Sequence, residues 1–272
     1  MIEHKLEKLV NLSDGYERRD ILEFISTRDE GAVQADTLKQ SQEGSGRYLL
    51  ETEEFKSWLD GSQTLFCPGI PGAGKTVMTS IVVDHLQRQY PDTPAVGIVY
   101  FFCNFSQLST ITEDTLMACL LRQLVQRMSQ IPDAISDLFA RYKEHKKRLR
   151  LDDIYQCVNL VASNLSRIYI MIDALDECDE TVRNCILSQI FDMQSKYRLS
   201  FFATSRFVTD ITSQFERHPW LEVRAHPDDV KSYLSGQIKT LRPFVRRDAS
   251  LQGLIIESIT KAIDGMYVGL CL

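Results

Sequence analysis

The sequence predicts a three-layer α/β architecture, a five-stranded parallel sheet with helices on both faces. Three observations lead there. Short apolar runs rich in β-branched and aromatic residues alternate with longer stretches of helical periodicity. One run, Thr64-Leu65-Phe66-Cys67, leads through a glycine-rich turn into a helical pattern. Another, Ile168-Tyr169-Ile170-Met171-Ile172, ends in carboxylates. Strands that alternate with helices need crossover connections, which place parallel strands side by side and helices over both faces. Continuously apolar strands suit a sheet buried on both sides.

The elements follow in chain order. Residues 1–28 read as a short N-terminal helical segment with Leu6, Leu9, Val10, Ile21, Leu22, Phe24 and Ile25 as its apolar positions and a break near Ser13-Asp14-Gly15. Residues 29–47 are polar and contain Glu43-Gly44-Ser45-Gly46, which predicts a linker. A helix covers Glu51 to Leu59 and stops before Gly61. Strands are expected at Thr64–Cys67, Ala95–Cys103, Arg167–Asp173, Leu199–Thr204 and Trp220–Val223. Helices are expected at 76–89, 112–130, 133–147, 152–165 and 179–195, and from Asp228 onward only helical patterns remain. The expected division is an N-terminal helical and linker segment (1–50), a core (51–226) and a partial helical subdomain (227–272).

Composition removes several classes. The chain has 272 residues, 44% hydrophobic and 25% charged, with a net charge of −6, which gives no sign of a nucleic-acid surface. Arg141 to Arg150, with Lys146-Lys147-Arg148, reads as a solvated helix end, because cations suit a helix C-terminus. Seven scattered cysteines include no C-x-x-C pair, so neither a disulfide framework nor a zinc site is expected. Charges at Glu3, His4, Lys5 and Glu7 stand where a signal peptide needs an apolar core, and no apolar run is long enough to span a bilayer. A soluble, cytoplasmic protein is the expectation.

Gly69-Ile70-Pro71-Gly72-Ala73-Gly74-Lys75-Thr76 fits G-x-x-x-x-G-K-[ST] at every fixed position. A strand ends there, the backbone turns, and a helix begins with free N–H groups aimed at an anion. This places Gly69, Pro71, Gly72, Ala73 and Gly74 around phosphate groups, Lys75 on the outer phosphates, and the Thr76 hydroxyl toward Mg²⁺. The plain alternative, a Gly-Pro turn that only begins a helix, does not require Lys75 and Thr76 to follow the glycines.

The run 168–172 ends in Asp173-Ala174-Leu175-Asp176-Glu177. Ligands of parallel α/β sheets bind beyond the carboxyl ends of strands. Asp173 is thus a candidate to hold Mg²⁺ beside Thr76, and Glu177 to orient an attacking water. Asp176 shares that task or binds the metal's water shell. Helix N-termini also attract acids through the macrodipole, so Asp176 and Glu177 have that ordinary reading as well. Leu199 to Thr204 leads into Ser205-Arg206. If this strand lies beside the phosphate-loop strand, Arg206 points at the terminal phosphate, to stabilise its charge or to report its presence.

These segments together resemble a NACHT-type domain, a branch of the signal-transducing P-loop ATPases of innate-immunity and heterokaryon-incompatibility proteins. The fungal members, whose NTPase module precedes ankyrin or WD40 repeats, are the most similar. Gly44-Ser45-Gly46-Arg47-Tyr48-Leu49-Leu50 resembles the segment those proteins carry ahead of the loop, with tyrosine in place of tryptophan. Phe55-Lys56-Ser57-Trp58-Leu59 and Asp264-Gly265-Met266-Tyr267 resemble two further stretches, so that residues 20–267 are covered. Ala174 stands where the family most often has glycine. The resemblance implies binding of ATP and ADP with Mg²⁺, slow ATP hydrolysis, and a nucleotide-controlled passage from a closed monomer to a homo-oligomer. It assigns phosphate binding to Lys75 and Thr76, Mg²⁺ to Asp173 and phosphate sensing to Arg206, and it puts residues 44–50 near the base. Family members continue into a winged-helix domain and repeats beyond the point matched by Leu272, so a truncated member is expected. A module that binds nucleotide with little turnover stays open beside the switch. A GTPase is disfavoured, since no Asn-Lys-x-Asp stretch for guanine is present.

Overall fold

The structure, a computed structural model, describes residues 15–39, 41, 44–104, 110–145, 148–224, 227–238 and 242–262. Its centre is a parallel sheet of β1 (Thr64–Pro68), β2 (Val96–Phe102), β3 (Arg167–Asp173) and β4 (Leu199–Ser205) in the order β1-β4-β3-β2. Four helices precede it: α1 (15–25), α2 (Glu30–Leu38), α3 (Arg47–Leu50) and α4 (Glu53–Asp60). The crossovers are α5 (Lys75–Gln89), then α6 (Glu113–Arg127), α7 (Asp133–His145) and α8 (Leu151–Ser163), then α9 (Glu180–Lys196). After the sheet come α10 (Thr209–Thr212), α11 (Pro227–Ile238), α12 (Pro243–Arg247) and α13 (Ala249–Ala262).

Every residue of the four strands is buried, as a doubly covered sheet requires. The period of two along β3 divides the core. Ile168, Ile170 and Ile172 face a cluster with α1, α6, α8 and α9, whereas Tyr169 and Met171 face one with α4 and α5. Trp58 of α4 is fully buried in the second cluster. Its indole N–H donates to the carbonyl of Phe201 at 2.9 Å, and its ring lies 5.3 Å from that of Phe55, 5.5 Å from Tyr169 and 5.8 Å from Phe202.

Two expectations need correction. The described sheet has four strands, not five. Residues 219–223 do run beside β1: Phe66 N–H donates to Pro219 O, Leu221 N–H to Phe66 O, and Val223 N–H to Pro68 O. The next ladder bond would have to come from the backbone nitrogen of Pro68, which carries no hydrogen. The pairing therefore shrinks to one isolated bridge, Phe66 with Trp220. The second correction concerns 29–47, read as linker, which contains α2. Asp29 caps this helix by accepting the Ala32 N–H at 3.0 Å. The residues α2 buries are Glu30 and Gln34.

The Glu30 carboxylate accepts the Phe102 N–H at 3.0 Å and pairs with Arg28 at 2.7 Å, while Arg28 reaches the Phe102 carbonyl. Gln123 of α6 binds both the N–H and the carbonyl of Tyr100, and Arg127 binds the carbonyl of Val96. The outer margin of β2, an edge strand, is thereby capped by side chains. Burial raises the Glu30 carboxyl above the ordinary range, against the opposing charge of Arg28. The segments around Lys146-Lys147, Cys271 and Asp264–Tyr267 include or lie among residues outside those described.

Candidate functional site

The tips of β1, β3 and β4 meet at one cavity of about 730 Å³. β1 turns into α5 through backbone that L side chains rarely adopt, φ 74° at Gly72 and 89° at Gly74. Gly69 is needed for a different reason: a Cβ there would stand 2.5 Å from the carbonyl oxygen of Val223. Gly74 caps α5 without a side chain, so no side-chain acceptor takes up the N–H groups of the first turn. Pro71, Gly72, Ala73, Gly74, Lys75 and Thr76 all line the cavity. The Lys75 ammonium donates to the carbonyls of Gly69 at 2.9 Å and Ile70 at 3.0 Å, within its own loop. Burial pulls its pKa below the ordinary lysine value, and the carboxylates of Asp176 and Asp173 oppose the shift.

Asp173 stands behind the loop, 1% exposed. Its Oδ2 accepts the Thr76 hydroxyl at 2.7 Å, and its Oδ1 lies 2.7 Å from the hydroxyl of Thr204 and 3.0 Å from that of Thr79. Burial raises this carboxyl above the usual range; the three hydroxyls and Lys75 hold it down. Thr76 lines the cavity and Asp173 lies buried directly behind it, so the two set hard oxygen donors side by side. Among the described residues no three His, Cys, Asp or Glu side chains gather as a metal cage. Such a pair fits Mg²⁺, which keeps several waters and shares its remaining positions with phosphate oxygens.

Ala174 follows at φ 55°, the left-handed conformation that costs a side-chain-bearing residue about 1–2 kcal/mol. Its N–H is held by the Thr204 hydroxyl at 2.9 Å, and a 3₁₀ turn, Leu175–Glu177, follows. This bend swings Asp176 and Glu177 back over the cavity, which both line. β4 pairs directly with β1, and this brings Arg206 to the same cavity. The guanidinium is paired: Nε lies 3.0 Å from Asp176 Oδ2, and Nη2 lies 3.6 Å from Glu177 Oε1.

The sequence reading missed Thr79, Thr204 and Asp229. Thr79 stands three residues after Thr76, on the same face of α5. Thr204 is the polar end of an apolar strand, two residues before Arg206, and this was the available signal. Asp229 of α11 accepts the Gly46 N–H at 3.1 Å and the Tyr48 hydroxyl donates to the Arg224 carbonyl at 3.1 Å. These contacts tie residues 44–50 to the segment after the sheet.

The profile of the family described as Nephrocystin 3, N-terminal, matches residues 44–206, from the segment ahead of the loop to the arginine at the tip of β4. The chain belongs to the nephrocystin 3 N-terminal family. Its core is a NACHT-type P-loop NTPase domain and a nucleotide-binding module. This member of the nephrocystin 3 N-terminal family is 26% identical over 243 residues to vegetative incompatibility protein HET-E-1 of Podospora anserina. That match covers 83% of this chain and 17% of the fungal protein, so the chain spans about a sixth of its relative's length. Among solved structures, a Walker-type ATPase of Pyrococcus abyssi matches with TM-score 0.48 and 14% identity, over 82% of this chain and 63% of that one. The AMPPCP-bound DnaA of Aquifex aeolicus matches with TM-score 0.41 and 10% identity, over 86% and 66%. No helix among the described residues is long and apolar enough to cross a membrane.

Proposed function

We propose that the chain is a nucleotide-controlled signalling switch that binds ATP and ADP with Mg²⁺ and hydrolyses ATP slowly. The observation that carries this reading is the 2.7 Å bond from Thr76, which lines the cavity together with Lys75 and Arg206, to Asp173 buried behind it. The loop N–H groups and Lys75 bind the phosphates. Thr76 and Asp173 hold Mg²⁺, which supplies charge neutralisation across the outer phosphates. Glu177, less buried than Asp176, orients the attacking water, and Arg206 faces the charge of the outermost phosphate. Asp176 completes the acidic side of the site. In this reading 51–226 is the working core, 227–272 belongs to a helical subdomain, and the ATP-bound form self-associates through the core in the cytoplasm. A role in incompatibility-type signalling is supported by the likeness to HET-E-1.

Isothermal titration with ATP, ADP and GTP, with and without Mg²⁺, tests binding and base choice. ATP and ADP are expected to bind in preference to GTP, and a chain that binds none of the three sinks the reading. In a phosphate-release assay, Glu177→Gln is expected to lose turnover while keeping its affinity for ATP. Asp173→Asn is expected to flatten the Mg²⁺ dependence of ATP binding; superimposable Mg²⁺ curves would remove its assigned role. The same variant has a second readout. A raised carboxyl pKa means that folding disfavours the ionised form, so this group's contribution to stability is present at low pH and lost as pH rises through the folded value. Without Mg²⁺, the stability of the wild type relative to Asp173→Asn is therefore expected to fall as pH rises, read by thermal melts across pH.

A further inference from the structure

Asp176 lines the cavity, yet its carboxylate is committed elsewhere. Its Oδ1 accepts the Arg206 backbone N–H at 2.9 Å and the Ser205 hydroxyl at 3.3 Å, and its Oδ2 takes Arg206 Nε at 3.0 Å. The side chain is 8% exposed, against 50% for Arg206 and 27% for Glu177. The pairing of β3 with β4 ends at Ile172 and Ala203. Beyond that point, described side chains tie the two strand tips: Thr204 to Asp173 and Ala174, and Asp176 to Ser205 and Arg206.

An arginine side chain has many rotamers, and a half-exposed one has little packing to select among them. Preorganising such a group makes its charge effective at a phosphate. Binding through Nε also matters chemically. With Nε on Asp176 and Nη2 3.6 Å from Glu177, the guanidinium still has N–H donors left for phosphate oxygens. We propose that Asp176 is a positioning residue that acts through Arg206: it fixes the guanidinium over the outermost phosphate and thereby sets the preference for a nucleoside triphosphate over a diphosphate. The proposal rests on the nucleotide reading above and divides the acidic pair, leaving Glu177 as the residue that meets water.

The test is the ratio of ATP to ADP affinity, by isothermal titration with Mg²⁺, in the wild type, Asp176→Asn, Arg206→Ala and the double variant. Asparagine keeps an oxygen for the Ser205 hydroxyl and the Arg206 N–H but removes the ion pair. The ratio is expected to fall about tenfold in each single variant, the scale of one charge-assisted contact, and no further in the double variant. Asp176→Glu is expected to restore part of the preference. A wild-type ratio in Asp176→Asn overturns the proposal, and so does a wild-type ratio in Arg206→Ala, a half-exposed position whose truncation leaves the core intact. An additive loss in the double variant overturns it as well, since Asp176 would then act independently. Nucleotide binding by the wild type separates the two layers. If ATP and ADP bind but the ratios do not respond, only the role of Asp176 falls; if neither binds, both fall.

Discussion

Lys75→Ala is expected to weaken nucleotide binding by about 2–3 kcal/mol, the scale of a lost charge-assisted contact left unsatisfied. That is roughly two orders of magnitude in affinity. Lys75 opens α5 directly after the left-handed Gly74, so its ammonium is held at the loop and not free along the helix. Carboxylates surround it, and Asp176 and Asp173 act on it most strongly. Removing the cation leaves those negative charges facing a polyanionic ligand without their counterweight. The fold itself has less at stake, because Lys75 bonds carbonyls of its own loop and bridges no separate elements. Titration calorimetry with ATP reads the loss, and a thermal melt confirms that the variant is folded. Equal affinity in the variant and the wild type would place the phosphates somewhere other than this loop.

Trp58→Ala is expected to cost about 3–5 kcal/mol of stability, read as a shift in a denaturant-unfolding midpoint at unchanged slope. The indole is fully buried between α4 and the sheet and touches rings from Phe55, Tyr169 and Phe202. Truncation leaves a cavity among large aromatic neighbours and deprives the Phe201 carbonyl of its indole donor. Tyr169 and Phe202 are anchored in β3 and β4, whose backbones cannot shift inward to fill the space, so little of the cost is recovered by collapse. Since a domain's net stability is about 5–15 kcal/mol, this single change removes a large part of it. A loss below about 1 kcal/mol would show that α4 contributes little to the core.

Much of the site could be read from the sequence because its chemistry is local. Gly69 to Thr76 carries its own geometry in glycine placement, and the carboxylates of 173–177 follow their strand without interruption. The strand next to the phosphate loop was also anticipated, and β4 does pair with β1. The misses share a cause, which is that long-range partners override local pattern. α2 escaped notice because the residues it buries are Glu30 and Gln34, so it has no apolar stripe to mark it as a helix. Its reward for burial comes from Phe102 and Ser80, far away in sequence. Trp220 to Val223 has good strand composition, but pairing depends on the partner's backbone, and Pro68 withholds the required donor. Asp176 looks like an acid at a helix start. Only the juxtaposition of β3 and β4 shows it bound to Arg206.

The capped margin of β2 limits how copies of this protein can join. An open parallel sheet invites an incoming chain to extend its ladder, the route to runaway fibre growth. Here the recruiting amides and carbonyls at Val96, Tyr100 and Phe102 are engaged by Arg127, Gln123, Glu30 and Arg28. Strand-on-strand docking at that border would first have to displace the Arg28–Glu30 ion pair, whose carboxylate is buried, so this border does not template a further strand.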